Sequence, residues 1–393
     1  MTPRRIAAAR TGLFTESVIR EMTRLSDEHG AINLAQGFPD FDAPDELKDA
    51  ATRAIADGHN QYPVTWGTPR LRHAIAAKYA RFGWPDIDPE TEIVVTCGST
   101  EAMVASYLAL LDPGDEVLMT EPFYENYGPD AYLSGAIPKV VRIDPPGWRL
   151  EPGRLASAVG HRTRAIVLTT PHNPTGRVFS TEELQAVADV SLRHDLLVFT
   201  DEIYEHILYD GRQHCSIARL PGMADRTVTI SALSKTYSVT GWRVGWAIAS
   251  RSIVEAIRKV HDFLTVAAPA PLQEAGVAAM ELPMSYYADL RTAYDERRSV
   301  FLDLTEASAF RMLRPEGAYY MMADIGEIRE RIGAPDDTAF CRELVLRAGV
   351  AAVPGSSFFV DPAAGGDWIR FAFPKRLVTL RAAAERLVEF APG

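Results

Sequence analysis

Six lysines occur in a chain rich in arginine: Lys48, Lys78, Lys139, Lys235, Lys259 and Lys375. Five of them read as ordinary solvated lysines at the edges of helices or strands. Lys235 differs, because it lies in VTISALSKTYSVTGWRVGW, where an apolar strand runs into small hydroxyl residues and then Gly and Arg. An amine held at a strand end in such surroundings suits covalent work on a carbonyl, by way of a Schiff base.

Other segments place complementary chemistry at strand ends. VFTDEIYEHILYD closes an apolar strand with Asp201, and Tyr204 follows three residues later. A carboxylate at the C-terminal end of a strand faces the ligand crevice of an open α/β sheet. It can hold a pyridine nitrogen protonated, which makes the ring an electron sink, as in pyridoxal phosphate chemistry. The alternative for Asp201 is a helix cap. TTPHNPTGRVFS places Asn173 between a His and a Pro at another strand end; the run is a turn signal, and a fixed Asn there can also donate to a phenolate or carboxylate oxygen. A cis Asn173–Pro174 bond would hold that side chain rigidly.

CGSTEAMVASYLALL sets Gly98, Ser99 and Thr100 where a helix begins after a strand. The N–H groups and dipole of a helix start form a phosphate site, or else Ser/Thr simply cap the helix with Glu101 in its first turn. Arg243, eight residues after Lys235 inside GWRVG, can clamp a phosphate bidentately. Arg370 lies in the otherwise apolar WIRFAFPK. Such a charge needs a partner, either a structural carboxylate or the α-carboxylate of a substrate. The nine histidines show no metal-ligand spacing, so no metal is expected. GxGxxG, P-loop, HExxH and GxSxG motifs are also absent.

The elements that position these residues follow from periodicity. Val18, Ile19, Met22 and Leu25 predict an opening amphipathic helix within 15–29. Apolar strands at 92–96, 116–120, 138–142, 164–169, 196–200, 227–231 and 245–249 alternate with helical patterns. That alternation predicts an α/β domain with a mostly parallel seven-stranded sheet and helices on both faces. Strands near 319–323, 350–353 and 368–373 predict a smaller C-terminal α+β domain. The expected divisions are an N-terminal segment (1–44) packing with the small domain, a large domain (45–285) and a small one (286–393).

At 393 residues the chain is long enough for two domains sharing a cleft. A net charge of −11 with no basic run argues against a nucleic-acid partner. Three cysteines without CxxC pairing read as reduced thiols of a cytoplasmic protein. No signal peptide or membrane span is expected.

Taken together, INLAQGFPDFDAP, NQYPVTWGTPRLR, TPHNPTG, DEIYEHILYDG, SKTYSVTGWRVGW, IRKVHDFLT and IRFAFPK resemble the class I/II pyridoxal phosphate aminotransferases of fold type I. The likeness covers nearly the whole chain. It is nearest to the branch holding kynurenine/glutamine aminotransferases, cysteine-conjugate β-lyases and methionine aminotransferases.

The resemblance implies a homodimer with shared sites, and roles residue by residue. Lys235 would form the Schiff base and shuttle the proton, Asp201 would pair with the ring nitrogen, and Tyr204 and Asn173 would bond the ring oxygen. Tyr124 would stack on the ring, and Ser99, Thr100 and Arg243 would bind phosphate. Tyr62 would reach the neighbouring subunit's cofactor. Arg370 would take the substrate carboxylate, with Gly37 and Asn173 beside it.

One departure concerns Ala232, which stands where the family usually has a phosphate-binding serine. Strand alternation points to Ser234 as the substitute and turns Ser231 away.

Thr100 replaces the lysine of some aspartate-specific relatives. Phe38, Tyr62, Trp66, Tyr124 and Tyr127 suit an apolar or thioether side chain. The expected activity is transfer of the amino group of a methionine-, glutamine- or aromatic-type L-amino acid to a 2-oxo acid. The alternative is β-elimination at a C–S bond or a specialised biosynthetic step with the same cofactor.

Overall fold

The computed structural model describes residues 6–390. The opening helix spans Val18–His29, and the Ser17 side chain caps it by accepting from the Arg20 N–H. A two-residue strand follows, β1 (Ile32–Asn33). Seven longer strands come next: β2 (Ile93–Thr96), β3 (Glu116–Glu121), β4 (Ile137–Arg142), β5 (Thr163–Thr169), β6 (Leu197–Asp201), β7 (Thr227–Ala232) and β8 (Gly245–Ile248). They form one sheet of order β2-β8-β7-β6-β5-β3-β4. β8 alone runs opposite to the other six strands. Every boundary lies within one residue of that expected from the sequence.

The strands were legible because helices cover both faces of the sheet. Every residue of β2, β3, β7 and β8 is buried, and such strands read as continuous apolar runs. The edge strand β4 keeps exposed residues along its length.

The C-terminal region supplies β9 (Arg311–Met312), β10 (Tyr320–Asp324), β11 (Val350–Ala351), β12 (Val353–Pro354) and β13 (Trp368–Ala372). Four of these make an antiparallel sheet of order β12-β13-β10-β9. The single strand expected at 350–353 is instead two. β11 pairs in parallel with β1 from the N-terminal segment, and β12 pairs with β13, so Ala352 is where the chain changes sheets.

Register brings the chemistry to one edge. Thr96 pairs with Gly245, Gly245 with Ala232, Ile230 with Asp201, and Asp201 with Thr169. The residues just beyond these positions therefore emerge side by side. They include Gly98 and Ser99, Arg243, Lys235 and Asn173.

Two of the lysines expected to be solvated are buried. Lys78, on the helix Pro69–Arg81, sits 2.5 Å from Glu205 Oε1. Lys375 donates to the Phe38 carbonyl at 2.8 Å and lies 3.9 Å from the centre of that ring; burial lowers its pKa to about 8. Their partners lie 127 and 337 residues away in sequence, so local spacing gave no sign of either. Among the described residues no helix is long and apolar enough to cross a membrane. The three cysteines are free thiols.

Candidate active site

A cleft of about 700 Å³ opens above the sheet edge, with an inner chamber of about 110 Å³ at its floor. Lys235 lines both. It sits in the four-residue helix Leu233–Thr236 directly after β7. Its Nζ donates to the Gly37 carbonyl at 3.2 Å and faces the rings of Tyr319 and Tyr204 at 5.5 and 5.9 Å. Burial lowers the Lys235 pKa against the pull of Tyr320 and Asp201, and Arg243 and Arg370 lower it further. A larger share of neutral, nucleophilic amine is the consequence.

Asp201 ends β6 and lines the inner chamber. Burial raises its pKa to about 6. The Tyr127 hydroxyl donates to Oδ2 at 2.9 Å and the Ile203 N–H to Oδ1 at 3.2 Å. The Tyr127 hydroxyl is also 2.7 Å from Thr169 Oγ1. Tyr204 shares a 3.0 Å hydrogen bond with the Tyr320 hydroxyl.

Asn173 follows β5, and its bond to Pro174 is cis. Its Oδ1 accepts from Arg370 Nη1 at 2.8 Å, while Nη2 donates to the Ala35 carbonyl at 2.9 Å. Arg370, on β13, is 1% exposed, and its guanidinium lies 4.1 Å from the Tyr320 ring centre. Its Nε has no partner, and no carboxylate pairs with it among the described residues. The structural carboxylate considered from the sequence is thus absent there. A buried cation in this setting needs an anion from the cleft.

The helix Gly98–Leu110 begins without a side-chain cap, so Ser99 and Thr100 serve no capping role. Both line the inner chamber. Gly98 has φ +82, and a Cβ there would stand 2.3 Å from Arg243 Nη2. Only glycine lets the guanidinium rest against the helix start. Ser234 borders the same chamber, and its buried Oγ lacks a partner. The alternation argument for it fails, since the chain has already turned from β7 into a helix; what places Ser234 is that turn. Ser231 does point elsewhere, toward Glu205 Oε1 at 3.4 Å.

Gly37, Phe38 and Tyr124 line the cleft, and Tyr124 also lines the chamber. Tyr62 is 85% exposed and borders neither space. Trp66 packs under Arg258, 5.0 Å from its guanidinium, and Tyr127 is turned onto Asp201. Of the five aromatics suggested for a substrate side chain, only Phe38 and Tyr124 border the cleft. Thr169, Tyr319 and Tyr320 form part of the site but carried no local signal, and Tyr127, expected against a substrate side chain, serves Asp201 instead. Adjacent tyrosines before an apolar strand look like core. Glu202, Glu205 and His214 come within metal-ligand reach of one another, a grouping that histidine spacing did not reveal. Lys78 and His214 already meet those carboxylates at 2.5 and 2.7 Å.

The donor set fits pyridoxal phosphate. An unpartnered hydroxyl, a guanidinium and an open helix start suit a dianion. A buried carboxylate suits a protonated ring nitrogen, and the amine suits the aldehyde. Replacing Gly98 with alanine is expected to displace Arg243 and strain a left-handed position, at a cost of about 1–2 kcal/mol. Cofactor affinity, measured by fluorescence titration, should then fall about tenfold.

Residues 29–387 match the family model for aminotransferases of class I and II. The chain is 41% identical over 386 residues to the Mycobacterium tuberculosis protein named "Probable N-succinyldiaminopimelate aminotransferase", covering 95% of this chain and 96% of that protein. It is 37% identical over 371 residues to the methionine aminotransferase of Escherichia coli K12, covering 94% and 95%. The solved structure of N-succinyldiaminopimelate aminotransferase from M. tuberculosis superposes with a TM-score of 0.94 at 39% identity, covering 98% of this chain and all of that one. The chain belongs to the class I and II aminotransferase family. It is a pyridoxal phosphate-dependent aminotransferase of fold type I, acting on amino acid and 2-oxo acid substrates.

Proposed function

We propose that Lys235 is the residue that carries the cofactor and moves the substrate's proton. The observation behind this reading is that a depressed-pKa amine, a buried carboxylate and a buried arginine without an acidic partner border one cleft. When bound, pyridoxal phosphate supplies an electron sink for the substrate's α-carbon. Arg370 and Asn173 hold the substrate α-carboxylate beside Gly37, which presents that carbon to Lys235 Nζ. The amine then takes the α-proton, a transfer favoured by its lowered pKa. When pyridoxal phosphate is bound, Asp201 would pair with its ring nitrogen, Tyr204 and Asn173 would bond the ring oxygen, and Tyr124 would lie against the ring. Ser99, Thr100, Ser234 and Arg243 would hold the phosphate.

The same reading takes the active form as a homodimer in the cytoplasm. Tyr62 is 85% exposed and Phe263 is 91% exposed, on segments that meet where His261 Nε2 contacts the Thr65 carbonyl at 2.8 Å. Large apolar groups exposed in this way suit cover by a second copy, in which Tyr62 reaches the neighbour's phosphate. The division into 1–44, 45–285 and 286–393 is kept, supported by the pairing of β1 with β11.

For the donor, a methionine-, glutamine- or aromatic-type side chain lies against Phe38 and Tyr124. A second reading rests on Arg20, an exposed residue of the opening helix that borders the cleft and, among the described residues, forms no ion pair within 4 Å though it lies near enough to Glu16 to act on its charge. It favours a long side chain ending in a carboxylate, like that in the name of the M. tuberculosis relative.

Methionine, glutamine, kynurenine and N-succinyldiaminopimelate, each assayed with 2-oxoglutarate, separate these readings. Turnover of the first three supports the apolar pocket; preference for the last supports Arg20. Release of pyruvate and ammonia from a cysteine conjugate without any oxo acid, in place of transfer, would replace both with β-elimination.

A further inference from the structure

The IRKVHDFLT segment supplies no group to the chemistry above, yet it holds a buried charge beside the cleft. His261, on the helix Arg251–Leu264, has no exposed surface. Its Nε2 meets the Thr65 carbonyl at 2.8 Å, and its Nδ1 meets Glu101 Oε1 at 2.6 Å. A carbonyl only accepts, so Nε2 carries a proton. Glu101 Oε1 also accepts from the Thr265 hydroxyl at 2.6 Å, and Oε2 from the Cys97 N–H at 2.5 Å. With so many donors converging on it, the carboxylate is anionic and the second ring proton stays on Nδ1. Burial works against both charges, but the hydrogen bond and attraction between the partners outweigh it. Glu101 is held below its usual range and His261 above its own.

Glu101 lies in the first turn of the helix Gly98–Leu110; it borders the outer cleft, next in sequence to Ser99 and Thr100, which face the inner chamber. A bare carboxylate there would compete with a bound anion for the positive end of the helix. The imidazolium cancels that charge and, through Cys97, Thr265 and Thr65, ties three segments together.

We propose that His261 is a positioning residue for phosphate: its buried pair with Glu101 neutralises the carboxylate that the helix start carries beside the turn Cys97–Thr100. This rests on the reading of Ser99, Thr100, Ser234 and Arg243 as the phosphate site.

The test compares dissociation constants for pyridoxal phosphate and for pyridoxal, which has the same ring without the phosphate, on full-length protein stripped of cofactor. His261→Gln is expected to weaken pyridoxal phosphate binding about tenfold while pyridoxal binding stays within about twofold. Glu101→Gln, and Glu101→Gln added to His261→Gln, remove the uncompensated charge. Both are expected to bind pyridoxal phosphate within about threefold of wild type, and both carry the test if the single histidine variant does not fold. Equal loss for the two ligands in His261→Gln overturns the proposal, since that marks a merely structural role. So does a tenfold loss in Glu101→Gln or in the double variant. Wild-type protein that binds pyridoxal phosphate no better than pyridoxal would instead refute the phosphate site itself.

Discussion

Lys235→Ala is expected to lower kcat for transamination by ~10⁴-fold or more, because one substitution removes both the nucleophile and the proton-transfer group. Lys235 Nζ lies on the floor of the cleft, held by the Gly37 carbonyl at 3.2 Å. Of the other lysines, Lys78 is tied to Glu205 and Lys375 to the Phe38 loop, so neither is free to take over. The phosphate, ring-nitrogen and carboxylate partners are untouched, so the variant should still bind pyridoxal phosphate. The visible absorbance of the covalently held cofactor should be lost, and the cofactor should leave on dialysis. Lys235→Arg separates charge from reactivity: its guanidinium keeps the positive charge but stays protonated, so it should be as inactive as the alanine variant. A kcat within about tenfold of wild type in either variant would mean that another group moves the α-proton.

How much of this was readable in advance depended on where each signal lay. The seven strands were visible because sheet burial on both faces leaves unbroken apolar runs. Lys235, Asp201 and Arg370 were visible because a charged residue at the end of such a run, or inside it, demands an explanation. What local sequence could not show was pairing across the chain. Lys78 looked solvated because Glu205 is 127 residues distant. Tyr127 looked like a pocket aromatic because its hydroxyl meets Asp201 only once β6 and the turn after β3 are side by side. Ala352 marks a change of sheet that a continuous apolar run conceals. The role of Ser234 was inferred from strand geometry that the chain has already left at Leu233.

Asp201→Ala is the second large effect expected, with kcat reduced about 10³-fold, since the ring loses the buried charge that keeps its nitrogen cationic. Asp201→Asn should be nearly as poor, because an amide keeps the shape but carries no charge at any pH. The pH dependence follows from the carboxylate's setting. Without cofactor, burial raises Asp201 from its ordinary 3.8 to about 6. A raised carboxylate pKa favours the neutral form in the fold. Its contribution to stability is therefore complete below about 3.8 and is lost as pH climbs through about 6. A cation bound beside Asp201 reverses that sign, since it favours the charged form. Stabilisation by pyridoxal phosphate, read as the rise in Tm on binding, should thus be larger at pH 8 than at pH 5. Tyr127→Phe removes the 2.9 Å donor to Oδ2, a hydrogen bond that lowers the Asp201 pKa. The midpoint of this pH dependence should then move upward by about one unit, the size expected for one hydrogen bond to a charged group. An unmoved midpoint in Tyr127→Phe, or one that persists in Asp201→Asn, would assign the titration to a different group.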